Sequence, residues 1–255
     1  MRVRILGASG GIGGPQLRTT AMLVDDDILI DAGTGVCSLS LAELERIDHV
    51  FVTHSHLDHI ACLPLISDSV GDLRQTPLTV HATAPTIAML QNHIFNWAVW
   101  PDFTRIPSVE QPFVRFHEIA LGQPLSLGGR AITALPANHS VPAVGYHLDS
   151  GRASLAYTGD TSVCPEFWQE INKISKLRYL IVESAFSNRE LPLANASLHL
   201  CPSLLASELA QLRLDPELFI IHLKPGQQQL IMRELEECLA QFRPRMLQDD
   251  HVFEF

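Results

Sequence analysis

The apolar positions of this chain fall in short runs that stop abruptly at turn-forming or histidine residues. VRIL, Met22 to Val24, Ile28 to Ile30, HVFV, LTVHA, AITAL, YLIVES and ELFIIHL read as strands, by alternation or by continuous β-branched burial. Asp25-Asp26-Asp27 makes a hairpin turn between the second and third of these, and Asp149-Ser150-Gly151-Arg152 closes another within AVGYHLDSGRASLAYTGD. Helical spacing marks LDHIACLPLISDS (continuing despite Pro64), PTIAMLQNHIFN, PEFWQEINKIS, SLLASELAQLRL and the amphipathic QLIMRELEECLAQF, before a last strand in HVFEF. Residues 98–118 are aromatic-rich and read as irregular, suited to a lid, a homodimer contact or a packed surface loop. Strands in runs with helices between them predict two packed sheets with helices outside.

The opening stretch LGASGGIG carries Gly7, Gly11 and Gly13 in the G-x-x-x-G-x-G spacing of a dinucleotide loop. That motif counts only when a strand precedes it and a helix follows. Here Gly14-Pro15 follows at once and the next apolar runs form a hairpin, so no crossover helix can reach a parallel neighbour. The glycines are therefore expected to form a flexible loop near the mouth of another site, and a nicotinamide enzyme is set aside.

At 255 residues, 46% hydrophobic and 18% charged, the chain has the composition of one globular domain spanning 1–255. No apolar stretch approaches the ~20 residues of a membrane span, and Arg2 and Arg4 lead straight into glycine rather than into a signal peptide's apolar region. Five scattered cysteines with no C-x-x-C pair point to a reduced, cytoplasmic protein. A net charge of -10 makes nucleic acid an unfavourable partner.

Twelve histidines change the picture, because they cluster. In THSHLDHIACLP, His54 and His56 lie two apart and point to one side of extended backbone. Asp58 and His59 follow directly. Imidazoles and a carboxylate this dense form a ligand set for borderline divalent cations such as zinc. More ligand-type residues stand just after buried strands, where loops carry function: His139 in PANHS, Asp160 in YTGDTS and His222 in IIHLKP.

The series HSHLDH (54–59), His139, Asp160 and His222 resembles the metallo-β-lactamase superfamily over nearly the whole chain, and ILIDAGTG is similar to the stretch holding that family's supporting aspartate, here Asp31. The resemblance implies an α+β fold, a four-layer αβ/βα sandwich with a two-metal site between its sheets. It places His54, His56 and His139 on one metal, Asp58, His59 and His222 on the other, and Asp160 between them. The same ligands suit Zn2+ first, and also Mn2+ or Fe2+.

HSHLDHIACLPLISDS further resembles the signature of class II cyclic-nucleotide phosphodiesterases, as do HLCP (199–202) and HLKP (222–225). Cys62 departs from it, standing where that family usually carries Gly or Ser. YLIVESAF and SLHLCPSLLASEL resemble ribonuclease Z, whose paired Glu and His correspond to Glu183 and His199. The implied catalytic residues are Asp58, Glu183 and His199, with His199 protonating the departing oxygen. Lys224, to hold the phosphate, and Ser140 are the candidate substrate-binding residues, and Ser140 and Asn138, which flank His139, are candidates to orient it. The expected activity is hydrolysis of a small-molecule 3′,5′-cyclic nucleotide, such as cyclic AMP, to the 5′-monophosphate. The alternatives are a ribonuclease Z-like or other phosphodiesterase of the same fold, and a non-catalytic nucleotide- or metal-binding protein.

Overall fold

A computed structural model describes all residues, 1–255. Fourteen strands build two sheets of seven. The first contains β1 (Arg2–Gly7), β2 (Ala21–Val24), β3 (Ile28–Ile30), β4 (His49–Phe51), β5 (Leu78–Ala82) and β6 (Val114–Glu118). The second contains β7 (Pro124–Leu127), β8 (Arg130–Pro136), β9 (Val144–Asp149), β10 (Ser154–Tyr157), β11 (Leu177–Glu183), β12 (Glu217–Ile221) and β13 (Arg245–Met246). The last strand, β14 (Val252–Glu254), returns to pair with β1, so the first sheet runs β14-β1-β2-β3-β4-β5-β6 and the second β13-β12-β11-β10-β9-β8-β7.

The sheets share one plan. Half of each is an antiparallel meander, and the other half, β3 to β6 or β10 to β13, is parallel. Parallel strands need both faces covered, and their sequences show it. In β11, Tyr179 and Ile181 enter the core between the sheets while Leu180 and Val182 pack under helices. Phe219 and Ile221 of β12 do the same against Leu218 and Ile220. The helical layer of the first sheet closes over Val50, Val80 and Val114. Three apolar layers therefore separate four layers of secondary structure, the expected sandwich. No helix is long and apolar enough to cross a membrane.

Three local expectations change. The helix through Pro64 is two helices, Leu57–Ile60 and Leu63–Val70. Pro64 sits in the first turn of the second, where a missing N–H costs nothing. The interval 98–118 is not irregular throughout, since Val114–Glu118 is the parallel edge strand of the first sheet. The glycine loop is pinned at its start: Gly10 donates its N–H to the Leu223 carbonyl at 3.1 Å, and a Cβ on Gly10 would collide with the His222 carbonyl. Close approach to the segment that carries His222, rather than flexibility, is what glycine provides there.

Candidate metal centre

β3, β4, β8, β10, β11 and β12 all run toward one edge of the sandwich, and the site is assembled where they end. Asp31 follows β3, Thr53 to His56 follow β4, His139 follows β8, Asp160 follows β10, Glu183 ends β11 and His222 follows β12. Several chain reversals there are strained. Asp31 (φ 59°), Leu198 (φ 55°) and His222 (φ 65°) all occupy the left-handed region, which costs a non-glycine residue free energy and tends to cluster at functional sites.

Two ligand groups result. His54, His56 and His139 form one, and Asp58, His59, Asp160 and His222 the other, each with its donor atoms within 4.8 Å of one another. His56 Nδ1 and His139 Nε2 lie 3.1 Å apart. Two imidazole nitrogens on one tetrahedral zinc at ~2.0–2.1 Å would stand about 3.3 Å apart. The Asp160 carboxylate lies between the groups. Its Oδ2 is 3.7 Å from His54 Nε2 and 3.3 Å from His59 Nε2, and its Oδ1 is 3.3 Å from His222 Nδ1. Asp58 Oδ2 stands 3.7 Å from His222 Nε2.

The hydrogen-bond network assigns the imidazole tautomers. His59 Nδ1–H donates to Asp31 Oδ2 at 2.7 Å, and His139 Nδ1–H donates to the Leu198 carbonyl at 2.9 Å. The Thr53 hydroxyl donates to Asp31 and accepts from His54 Nδ1–H at 3.0 Å. Each ring thereby turns its Nε2 toward the cluster, where it offers a lone pair in the neutral form. His54 Nε2, His59 Nε2, Asp160 Oδ1 and both His222 nitrogens are buried with no hydrogen-bond partner. Each such orphan costs about 1–3 kcal/mol, and divalent cations would satisfy them together, apart from the one His222 nitrogen that carries its proton. The donor set fits the metal.

Charge agrees with this. Burial holds His54 well below its ordinary value, His222 down to about 3 and His139 down to about 4. These rings are neutral at pH 7 and have no proton to shed before accepting a cation. His59 is the exception. Burial opposes its charge, but Asp160 and Asp31 outweigh burial and raise it well above the ordinary value. Burial would raise Asp160, but the imidazoles around it hold its carboxyl well below the ordinary value.

Beside the cluster, Glu183 is fully buried and His199 is 7% exposed. His199 Nδ1 donates to Glu183 Oε1 at 2.8 Å, which turns the opposite edge of the ring toward His139 and Asp160. Glu183 is itself fixed by the N–H groups of Thr161 (3.1 Å) and Ala185 (3.0 Å). Burial would lower His199, but the Glu183 carboxylate overcomes it and the imidazole is raised, while burial raises Glu183 in turn. Lys224 reaches this side as well, donating to the Gly10 carbonyl at 2.8 Å. Ser140 is exposed beside His139. Asn138 faces away from the cluster and ties two loops together: its side chain donates to the Val163 carbonyl, and its main chain bonds Thr161 and Ser162.

Every candidate ligand and catalytic residue, together with Asp31 and Lys224, therefore has its side chain at or bordering this cluster, whereas Ser140 and Asn138 do not. Thr53 was missed, although it directly precedes His54 and orients both Asp31 and His54. So were the Thr161 and Ala185 amides, which no sequence pattern announces.

A family model described as the beta-lactamase superfamily domain matches residues 26–223. A Yersinia pestis protein named "Probable 3′,5′-cyclic-nucleotide phosphodiesterase" is 29% identical over 225 residues, covering 76% of this chain and 63% of the relative. The chain thus spans a little under two thirds of that relative's length. A Haloarcula marismortui protein named ribonuclease Z is 30% identical over 156 residues, 58% of this chain and 47% of the relative. Among solved structures, unliganded yeast PDE1 matches with a TM-score of 0.82 at 18% identity, covering 100% of this chain and 99% of that one. At that identity the likeness is one of fold.

Proposed function

We propose that this chain, which belongs to the beta-lactamase superfamily, is a two-metal phosphodiesterase that opens 3′,5′-cyclic nucleotides to 5′-monophosphates. Membership makes it a hydrolase of the metallo-β-lactamase fold. The substrate is read from its own residues, and the observation that carries the reading is the buried Glu183–His199 pair beside the ligand cluster. Divalent cations held by His54, His56, His139, Asp58, His59, His222 and Asp160, zinc foremost, would lower the pKa of a bound water and clamp the phosphoryl oxygens.

The protein's own groups supply the rest. A cyclic phosphodiester leaves through its 3′-oxygen, which must gain a proton as the P–O bond breaks. His199 holds that proton, and Glu183 keeps it there near neutral pH. Lys224 adds positive charge on the same side, while the Gly10 carbonyl keeps its ammonium group in place. The names of two relatives support the chemistry: the Yersinia pestis protein is named for cyclic nucleotides and the Haloarcula marismortui protein for ribonuclease Z.

The test is hydrolysis of cyclic AMP beside bis-p-nitrophenyl phosphate by zinc- or manganese-loaded protein, with Asp160→Ala as control. Turnover of both, lost in the variant, is the expected result. Turnover of the artificial diester alone removes the cyclic nucleotide, and 3′ cleavage of precursor transfer RNA would then place the chain with ribonuclease Z. Metal binding without any turnover refutes the phosphodiesterase.

A further inference from the structure

Cys37 and Cys62 are two of five cysteines scattered along the chain, yet the fold brings their sulfurs to 3.7 Å, the one contact between cysteine sulfurs. They differ in access. Cys37 is exposed in the turn Thr34–Ser38, whereas Cys62 is buried, directly after the helix that carries Asp58 and His59. Burial, and then Cys37 beside it, push the Cys62 thiol up to about 12, so Cys62 stays protonated and Cys37 is the sulfur that solvent oxidants meet.

The two segments joined by this contact are also joined at the metal centre. Cys62 donates its N–H to the Ala32 carbonyl at 2.8 Å, and Ala32 donates to the His59 carbonyl at 2.7 Å. Gly33 packs so closely on the Asp58 carbonyl that a Cβ would collide with it. The same joint holds Asp31 against His59.

We propose that Cys37 and Cys62 form a modification site for peroxides, closing to a disulfide that couples oxidation to the metal centre. The Cys37 thiolate attacks hydrogen peroxide, the O–O bond breaks, and Cys37 sulfenic acid and hydroxide form. Cys62 sulfur then attacks the sulfenic sulfur. The S–O bond breaks, hydroxide leaves, and the Cys62 proton converts it to water. Two electrons pass from the thiol pair to peroxide, and reaction with a dithiol returns them. Bond formation brings the sulfurs from 3.7 Å to about 2.05 Å, a closure of the turn toward the helix that pulls on the joint supporting His59. Loss of outer support commonly weakens metal binding 10–100-fold, and about a tenfold loss is expected here.

The experiment treats zinc-loaded full-length protein with hydrogen peroxide, alkylates free thiols, and maps peptides by mass. The expected product is a Cys37–Cys62 linked peptide, with free thiols falling from five to three and recovering in dithiothreitol. Zinc affinity of the oxidised protein should fall about tenfold, and Cys37→Ser should abolish both the link and the loss. Conversion of Cys37 to sulfinic acid without linkage, a link between other cysteines, or an equal zinc loss in Cys37→Ser overturns the proposal. Neither the peptide map nor the zinc titration depends on the substrate, so a failed cyclic-nucleotide assay leaves this test intact.

Discussion

Asp31 does not point into the ligand cluster, yet replacing it with asparagine should weaken metal binding there. Asparagine keeps the shape and tolerates the left-handed backbone at φ 59°. Its carbonyl can still accept from the Thr53 N–H, which now meets Asp31 Oδ1 at 2.8 Å. The amide nitrogen then replaces Oδ2 opposite His59 Nδ1, at 2.7 Å. It donates where the carboxylate accepted, and so forces the proton of His59 onto Nε2. An N–H then occupies the direction a metal needs. A charge-assisted hydrogen bond is worth about 1.5–3 kcal/mol, and loss of such support typically lowers metal affinity by about 10–100-fold, or ~1.4–2.7 kcal/mol. The two ranges agree. Zinc competition against a chromophoric chelator, with circular dichroism confirming the fold, measures the change. An Asp31→Asn affinity within about threefold of the unmodified protein would show that this carboxylate does not set the His59 tautomer.

Asp160→Ala should lower kcat/KM for bis-p-nitrophenyl phosphate by on the order of 10³, because the carboxylate between the two ligand groups is removed; a tenfold effect or less would mean that one group suffices. In Glu183→Gln, His199 loses the charge that raises it. The protonated form is the acid, so activity lost as pH rises through the His199 pKa will be lost at lower pH in the variant, visible as a downward shift of the alkaline limb of kcat/KM. Asp27 is lowered first by its hydrogen bond to Arg130, at 2.7 Å between Nη2 and Oδ2. A lowered carboxylate stabilises the fold above its unfolded pKa and stops doing so as pH falls through its folded one. The Tm difference between wild type and Arg130→Met should therefore shrink between pH 7 and pH 3, and a constant difference would exclude the ion pair as its source.

How far the sequence reveals this molecule depends on distance along the chain. His54, His56, Asp58 and His59 are legible because four ligand-type residues within six positions have no other common reason to be there. His139, Asp160 and His222 are legible because each stops an apolar strand. Thr53 escapes notice because a threonine ending a strand is ordinary, and only the fold brings Asp31 against it. The edge strand Val114–Glu118 is obscured because charged residues and a histidine break up its apolar pattern, as suits an exposed edge. The Cys37–Cys62 contact is invisible without the path of the chain, since 25 residues separate the two sulfurs.

The ligand groups draw on both sheets: His54, His56, Asp58 and His59 extend from the first, and His139, Asp160 and His222 from the second. Neither half of the sandwich holds a full set, so any ion bound by residues of both halves acts as a clasp that exists only while they remain docked. Its binding energy is then folding energy. At a free metal concentration a thousand times its dissociation constant, each such ion would add about 4 kcal/mol to the stability of the whole. The melting temperature becomes a gauge of metal supply, and a cell short of metal would lose the protein to proteolysis as well as its activity.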